Sequence, residues 1–188
     1  TRISDVASEP LIDISRANIP ASTANIKRLS DIIISAIALV VLAPVYAAIA
    51  VAVKLDSQGP VFYTQQRVGR FKRPFHIIKF RTMTTDAEAD GPRLSSPGDT
   101  RITRTGRFLR KYRLDELPQF LNVLRGDMSL VGPRPEREYY VNRIIEKVPY
   151  YSLVHQVRPG ITSWGMVKYG YASDIDQMIE RLPYDLLY

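Results

Sequence analysis

The longest feature of the hydrophobic pattern is an uncharged run over residues 32–53. As one straight helix, these 22 residues would measure roughly 33 Å, which is enough to cross the hydrocarbon core of a bilayer. Pro44 lies near the middle of the run, where it removes a helix hydrogen bond and forces a kink. The run therefore predicts either a kinked spanning helix, which hydropathy alone favours, or a re-entrant helix that bends at Ala43-Pro44 and returns to the same face.

Basic residues flank this run on both sides. Lys27 and Arg28 precede it, and five Lys or Arg residues follow between positions 54 and 73. Positive charge usually collects on the cytoplasmic side of a membrane segment. Because both flanks are positive, the charge pattern is compatible with both ends in the cytoplasm. Residues 1–26 show no sustained period and predict an N-terminal arm or linker.

Shorter segments with strand and helix periods follow the apolar run. Residues 61–65 and 75–81 are rich in β-branched and aromatic side chains and flank a basic stretch, which predicts a β-hairpin with a basic tip. A polar loop is expected over residues 84–100, and a turn at Arg158-Pro159-Gly160. The whole pattern predicts an α+β fold that is mostly helical. Its further helices are expected over residues 102–112, 118–124, 136–147 and 174–182.

Composition narrows the class of protein. Among 188 residues, 26 Lys or Arg against 19 Asp or Glu give a net charge of +7. A basic surface fits nucleic acid, anionic lipid or a phosphorylated substrate, and the apolar run favours lipid headgroups over nucleic acid. Zero cysteines exclude disulfides, zinc–thiolate sites and a cysteine nucleophile. The chain opens on Thr1 and stops within an apolar pattern at Tyr188, so we interpret it as a fragment with a truncated C-terminus.

The candidate chemistry centres on two adjacent acids, Asp115 and Glu116, with Pro118 nearby. One interpretation is structural, because an aspartate cap, a glutamate in the first turn and a close proline all stabilise the start of a helix. The other is functional, because a helix N-terminus also binds anions and paired carboxylates suit metal-assisted phosphoryl transfer. The structural interpretation is the more common one for this spacing, and both stay open.

Basic residues precede this acidic pair. Lys79 and Arg81 close the second predicted strand, and Arg110 lies in the basic helix before the pair. Such residues usually form a solvated surface, but around two carboxylates they would also bind phosphate.

Arg134 differs from these residues because Pro133 and Pro135 fix the backbone on both sides of it. A fixed backbone lowers the entropic cost of presenting the guanidinium group. A rigid arginine that bonds two oxygens at once suits a diphosphate.

Seven motifs resemble, in order, the bacterial sugar transferase family: the monotopic polyprenyl-phosphate phosphoglycosyl transferases that begin exopolysaccharide, capsule or O-antigen units. One motif would be weak evidence, but seven in family order over most of the chain are specific. The motifs are Lys27-Arg28-Leu29-Ser30-Asp31, Gln66-Arg67-Val68-Gly69, Lys79-Phe80-Arg81-Thr82-Met83, Leu114-Asp115-Glu116-Leu117-Pro118-Gln119, Asn122-Val123-Leu124-Arg125-Gly126-Asp127-Met128-Ser129, Val131-Gly132-Pro133-Arg134-Pro135 and Arg158-Pro159-Gly160-Ile161-Thr162.

The resemblance implies a two-step reaction at this site. Asp115 would attack the sugar-linked phosphate of a UDP-sugar and release UMP, and a membrane polyprenyl phosphate would then accept the phosphosugar. Glu116 would hold Mg²⁺. The substrate-binding residues implied by the resemblance and by the flanking motifs are Lys79, Arg81, Arg110, Pro133, Arg134 and Pro135.

The resemblance also reverses the preference from hydropathy, because the family's apolar segment is re-entrant with a proline break. It implies a re-entrant membrane helix over residues 27–55 and a cytosolic catalytic domain with interfacial helices over residues 56–188. The protein would lie in the bacterial inner membrane with this domain facing the cytoplasm. Its partners would be the UDP-sugar, the polyprenyl phosphate and membrane lipid, with no nucleic acid, and a homo-oligomer is compatible with the family.

Two other interpretations stay open at this point. A non-enzymatic membrane-anchored scaffold would bind anionic lipid through residues 67–73 and 101–113, with an affinity that falls steeply with salt. A spanning subunit of a transporter or receptor would place residues 27 and 54 on opposite faces of the membrane.

Overall fold

The computed structural model describes residues 3–6, 9–12, 20–89, 91, 95 and 98–187. In these residues the fold is mostly helical, with three sheets of two strands each. Strands β1 (Ile3–Val6) and β2 (Glu9–Ile12) pair antiparallel inside the stretch expected to be an arm. The mostly helical α+β expectation is confirmed.

A bent pair of helices carries the apolar run. Helix α1 spans Ala21–Val41 and begins inside the predicted arm, and helix α2 spans Ala43–Asp56. The two meet at Leu42 at an angle of 62°. Pro44 lies in the first turn of α2, where its missing N–H group costs no hydrogen bond. The predicted break beside Pro44 is therefore confirmed.

The length and composition of this pair bear on the membrane prediction. Within the part of the chain that the structure describes, neither helix alone is both long and apolar enough to cross a bilayer. Taken together as one broken segment, the two helices meet that requirement by length and composition.

Polar residues near the start of α1 fix it to the rest of the fold. Arg28 donates hydrogen bonds to the carbonyl oxygens of Val123 at 2.7 Å and Leu124 at 3.1 Å. These carbonyls end the short helix α4 (Gln119–Arg125), where cations are favourable. Asp31 accepts a hydrogen bond of 2.8 Å from Ser129 and is buried. The base of α1 is thus held at two places.

The predicted hairpin forms from β3 (Phe62–Val68) and β4 (Pro74–Phe80), which pair antiparallel. Its tip is a short 3₁₀ segment, Arg70–Lys72, that contains two of the expected basic residues. The hairpin matters for the site because Tyr63 lies directly opposite Lys79 in the register. Directly opposed residues of an antiparallel pair project to the same face of the sheet.

In the described part of the chain after the hairpin, five helices form, and they agree only in part with the predicted ones. Helix α3 (Arg104–Lys111) lies inside the predicted range 102–112, and α5 (Glu138–Lys147) inside 136–147. The last helix, α7, covers Ile175–Leu186 and extends past the predicted end. The short helix α6 (Trp164–Lys168) and a 3₁₀ segment over Pro149–Gln156 were not predicted.

A parallel sheet replaces the simple turn expected at Arg158-Pro159-Gly160. Strand β6 (Gly160–Thr162) begins within that turn and pairs with β5 (Ser129–Val131). The strands approach so closely that a Cβ atom on Gly160 would lie 2.2 Å from the backbone nitrogen of Gly132. A glycine that marks a turn in the sequence is here required by close packing of two backbones.

A hydrophobic cluster joins the bent helix pair to the hairpin and to α3. Ile49 and Val53 of α2 pack with Phe80 of β4 and Leu109 of α3, and all four side chains are buried. This packing places α2 directly behind the end of the hairpin that carries Lys79.

Candidate active site

Asp115 and Glu116 lie side by side on a 3₁₀ turn, Leu114–Glu116, that separates α3 from α4. Both are buried, with 7% and 4% of their surface exposed. The sequence placed them at the start of the following helix, but α4 begins only at Gln119. The N–H group of Glu116 donates to the carbonyl of Arg113 within the turn, at 3.3 Å. Side-chain cations, rather than the end of a helix, therefore organise this site.

Glu116 is held by three cations. Its Oε1 accepts hydrogen bonds from Lys79 at 2.8 Å and from Arg134 at 3.3 Å, and its Oε2 accepts one from Arg113 at 2.6 Å. Burial alone would raise the pKa of this carboxyl, but the charges of Arg134, Lys79 and Arg113 outweigh it and hold the pKa well below its usual range. These three cations thus favour the charged form of Glu116.

Asp115 has the opposite surroundings. Within the described residues, no hydrogen bond or ion pair joins its carboxylate to another side chain or to the backbone. Burial raises the pKa of Asp115, the charge of Lys79 opposes that rise, and the charge of Glu116 adds to it. Two adjacent acids therefore differ: Glu116 accepts three hydrogen bonds from cations of the protein, whereas the oxygens of Asp115 are available to a ligand.

Lys79 bonds Glu116 and its charge also acts on Asp115, and its own pKa is perturbed. Burial lowers the pKa of its ammonium group to about 8; the charge of Glu116 opposes this lowering, and the charge of Arg134 adds to it. A lysine with such a pKa changes its charge just above neutral pH. An anionic ligand in place of water would favour the charged form.

Two of the predicted substrate-binding residues, Arg110 and Arg81, line a cavity that also contains the two acids, but they make different contacts. Arg110 lines the same cavity as the acids and donates to the hydroxyl groups of Thr82 at 2.8 Å and Ser95 at 2.7 Å. Arg81 also lines the cavity, but its guanidinium donates to the carbonyl oxygens of Ser57, at 2.7 Å, and Gln58 just beyond α2. These contacts give Arg81 a structural part, because they bind carbonyls at the end of a helix.

The two prolines hold Arg134 in place and do not themselves line the cavity within the described residues. Pro133 is buried, and its carbonyl accepts a hydrogen bond of 2.9 Å from the N–H group of Gly160. Pro135 is also buried, and its carbonyl accepts a hydrogen bond of 3.2 Å from Arg67. The structure therefore brings Arg134 into contact with Glu116, whereas the two prolines contact other parts of the backbone and Arg67.

The acids form part of the wall of a cavity of about 560 Å³. This volume falls within the range of small-molecule sites. Among the described residues, the lining contains eight Lys or Arg side chains and four carboxylates, so the cavity attracts anions. The cations are Arg67, Lys79, Arg81, Arg110, Arg113, Arg134, Arg137 and Arg181, and the carboxylates are Glu88, Asp115, Glu116 and Glu136.

Sequence reasoning assigned no role to several cavity residues. Glu136 is buried and pairs with Arg181 of α7 at 3.0 Å and with Arg67 of β3 at 3.3 Å. Arg181 also pairs with Asp185, four residues later on the buried face of the helix. Arg181 and Asp185 are four residues apart and lie among the apolar residues of an amphipathic helix. This spacing is the sequence signal that could have revealed the role of Arg181.

Tyr171 is another cavity residue that received no role from the sequence, and it has no obvious sequence signal. Its ring lies 4.6 Å from the guanidinium of Arg113 and 5.4 Å from that of Arg134. Both distances are within the range of cation–π contacts. The ring thus supports two of the three cations that hold Glu116.

The acidic pair fits the donor set that Mg²⁺ uses with phosphorylated substrates. Within the described residues, no three His, Cys, Asp or Glu side chains come together as a metal site. Mg²⁺, however, often binds through only one or two carboxylates together with substrate phosphates and water. With respect to the described residues, Asp115 offers unpaired oxygens, and Oε2 of Glu116 accepts from Arg113 alone and so keeps one lone pair.

Comparison with known proteins decides the family. The family model for Bacterial sugar transferase matches residues 22–188. The chain belongs to this family. The resemblance inferred from the seven motifs is therefore confirmed.

Relatives in this family share much of the sequence. The UDP-N-acetylgalactosamine-undecaprenyl-phosphate N-acetylgalactosaminephosphotransferase of Aeromonas hydrophila is 47% identical over 87% of this chain and 38% of its own length. A UDP-glucose:undecaprenyl-phosphate glucose-1-phosphate transferase of Klebsiella pneumoniae is 37% identical over 100% of this chain and 41% of its own length. The enzyme with that name in Xanthomonas campestris pv. campestris is 40% identical, over 97% and 39%. The chain thus spans about two fifths of the length of these sugar transferases.

Proposed function

We propose that this chain transfers a sugar phosphate from a UDP-sugar to a polyprenyl phosphate in the bacterial inner membrane, with release of UMP. The observation that carries the proposal is the pairing of two buried carboxylates in a cationic cavity: Asp115, which no described residue bonds, and Glu116, which three cations bind. The names of the relatives support the donor and acceptor classes. They include both glucose and N-acetylgalactosamine transferases, so the donor sugar is left open.

The first step forms a covalent intermediate. An oxygen of Asp115 attacks the sugar-linked phosphorus of the donor. The bond from this phosphorus to the bridging oxygen breaks, and UMP leaves with that oxygen and its electron pair. The product is an acyl phosphate between Asp115 and the sugar, and the bond between the sugar and its phosphate oxygen stays intact.

The second step returns the enzyme to its starting state. A phosphate oxygen of the polyprenyl phosphate attacks the same phosphorus, and the bond from phosphorus to Asp115 breaks. The lipid now carries a diphosphate linked to the sugar, and the aspartate is again a free carboxylate.

The surrounding cations lower the barrier by neutralising charge, since the nucleophile and the donor are both anions. Lys79 and Arg134 both lie within 3.3 Å of Glu116 and line the cavity, so a diphosphate beside Asp115 would meet both. Mg²⁺, held by Glu116 and by oxygens of the donor, would supply further neutralisation of the phosphate charge. Burial of the site raises the strength of all these interactions.

In this proposal, the polyprenyl phosphate enters the cavity on the side where the bent helix pair α1 and α2 lies. We infer that α1 and α2 form a re-entrant segment with both ends in the cytoplasm. Phe80 supports this route because it lines the cavity and also packs against Ile49 and Val53 of α2. A lipid phosphate at headgroup depth would then lie close to the cavity while its chain stays in the bilayer.

UMP release tests the overall reaction. Protein in detergent with Mg²⁺ and a panel of UDP-sugars should release one equivalent of UMP alone and many equivalents once polyprenyl phosphate is added. Asp115→Asn should abolish both signals, whereas Asp176→Asn on the exposed end of α7 should not. Normal turnover by Asp115→Asn would exclude the assigned nucleophile.

A further inference from the structure

A second polar cluster lines the cavity beside the acidic pair. Glu88 accepts hydrogen bonds from Arg137 at 2.8 Å, from Gln65 at 3.3 Å and from Tyr63 at 3.4 Å. Gln65 also donates to the hydroxyl of Tyr63 at 2.8 Å. The four residues come from β3, from the segment after β4 and from the residue that precedes α5. We call them the Glu88 cluster.

The register of the hairpin fixes how far the Glu88 cluster lies from Lys79 and Glu116. Tyr63 lies opposite Lys79, the residue that bonds Glu116, and the two share one face of the hairpin. Gln65 lies two residues farther along the same strand, which is roughly 7 Å. The cluster therefore starts beside the phosphate site and extends away from it by about the width of one sugar ring.

Charge argues against phosphate as the ligand of this cluster. The only carboxylate in it, Glu88, remains 37% exposed and would repel an anion. Arg137 is already paired with that carboxylate at 2.8 Å. Nearby, Arg67 and Arg181 are likewise paired with Glu136. The unneutralised positive charge lies instead around Asp115 and Glu116, where Lys79, Arg110, Arg113 and Arg134 converge.

We propose that the Glu88 cluster binds the hydroxyl groups of the ring that adjoins the donor's phosphates. This proposal rests on the proposed function and deepens it. Two rings of a UDP-sugar have this chemistry, the transferred sugar and the ribose, and each is joined directly to a phosphate. A hydroxyl group donates and accepts at once, so it suits a cluster with acceptors on Glu88 and donors on Arg137 and Gln65.

Removing single polar groups tests the proposal. The variants are Glu88→Gln, Arg137→Met and Tyr63→Phe, with Glu146→Gln on the exposed side of α5 as the matched control. The assay is kcat/KM for UMP release over a panel of UDP-sugars that differ at one hydroxyl or acetamido group. Losing a hydrogen bond to a charged group should lower kcat/KM about ten- to a hundredfold in the first two variants. Tyr63→Phe keeps the ring and should lose less.

A second measurement separates the two rings. The affinity of UDP, which contains the ribose but lacks the transferred sugar, is measured by titration calorimetry for each variant. If the cluster binds the transferred sugar, UDP affinity stays unchanged and the ranking of the donors shifts. If it binds ribose, UDP affinity falls together with kcat/KM and the ranking stays the same. Both outcomes support the proposal.

The proposal is overturned if all three variants match the wild type and Glu146→Gln in both kcat/KM and UDP affinity. A thermal melt of each variant shows that a loss does not come from unfolding, and Tyr63→Phe, which removes one oxygen atom, provides a mild substitution. Failure of the proposed function would look different. In that case the wild-type protein itself would release no UMP from any donor.

Discussion

The charge state of Lys79 gives a prediction that can be worked out from the structure. Burial lowers the pKa of this lysine to about 8, and its ammonium group lies 2.8 Å from Glu116 in the phosphate-binding part of the cavity. If the charged form is required for the donor, kcat/KM for UMP release should fall as the pH rises through 8. At pH 9 only about a tenth of the lysine is protonated, so the rate should be about tenfold below its plateau.

The pH profile of kcat/KM is the right assay because it reports the pKa values of the free enzyme. The single turnover of the first step should be followed, so that titration of the acceptor phosphate does not contribute. Bound donor should raise the pKa of Lys79, because a phosphate nearby favours its charged form. The alkaline limb in the rate constant of this step at saturating donor should therefore lie at higher pH than the limb at low donor concentration, which corresponds to kcat/KM.

Two variants separate Lys79 from other titrating groups. Lys79→Arg keeps the charge through pH 10 and should lose the alkaline limb, although its larger head should lower the maximal rate. Lys147→Met, which removes an exposed lysine on α5, should keep the wild-type profile. If Lys79→Arg shows the same limb near pH 8 as the wild type, another group titrates and the reasoning is wrong.

Three further predictions follow from the structure. Arg81→Met should lower the free energy of unfolding by about 2–4 kcal/mol, measured by denaturant titration, because carbonyls after α2 lose a buried cation. Tyr171→Ala should raise KM for the donor about three- to tenfold through loss of its contacts with two arginines, whereas Tyr171→Phe should not. Single cysteines at Ser22 and Ser57 in this cysteine-free chain should both react with a membrane-impermeant reagent only from the cytoplasmic side; labelling from opposite sides would refute a re-entrant segment.

Local signals explain the parts of the fold that could be predicted. The broken helix pair follows from one apolar run and Pro44, and the hairpin follows from two β-rich runs around a basic tip. The parallel pairing of β5 with β6 has no such signal, because each strand has only three residues and they are far apart in sequence. Gly160 marks a turn in any local interpretation, and only the backbone packed against it shows why glycine is required.

The candidate site likewise has some features with a local sequence signal and others without one. Its acidic pair and the nearby cations could be found from their motifs. What local patterns could not show is that three cations bind Glu116, while no described residue bonds the carboxylate of Asp115. That difference depends on Lys79, 37 residues away in sequence, and on Arg134, 18 residues away. It also depends on Arg113, whose backbone is left-handed and begins the 3₁₀ turn Leu114–Glu116 that carries both acids.

In the proposed reaction, Asp115 carries the sugar phosphate between donor and acceptor. The most direct measurement is intact-mass spectrometry of the protein after incubation with a UDP-sugar and Mg²⁺ without acceptor, followed by peptide mapping. We expect a mass increase of one phosphosugar, located on the peptide that contains Asp115 and removed by polyprenyl phosphate. An unmodified protein that releases UMP only when donor and acceptor are both present would contradict this account, because it would indicate direct transfer.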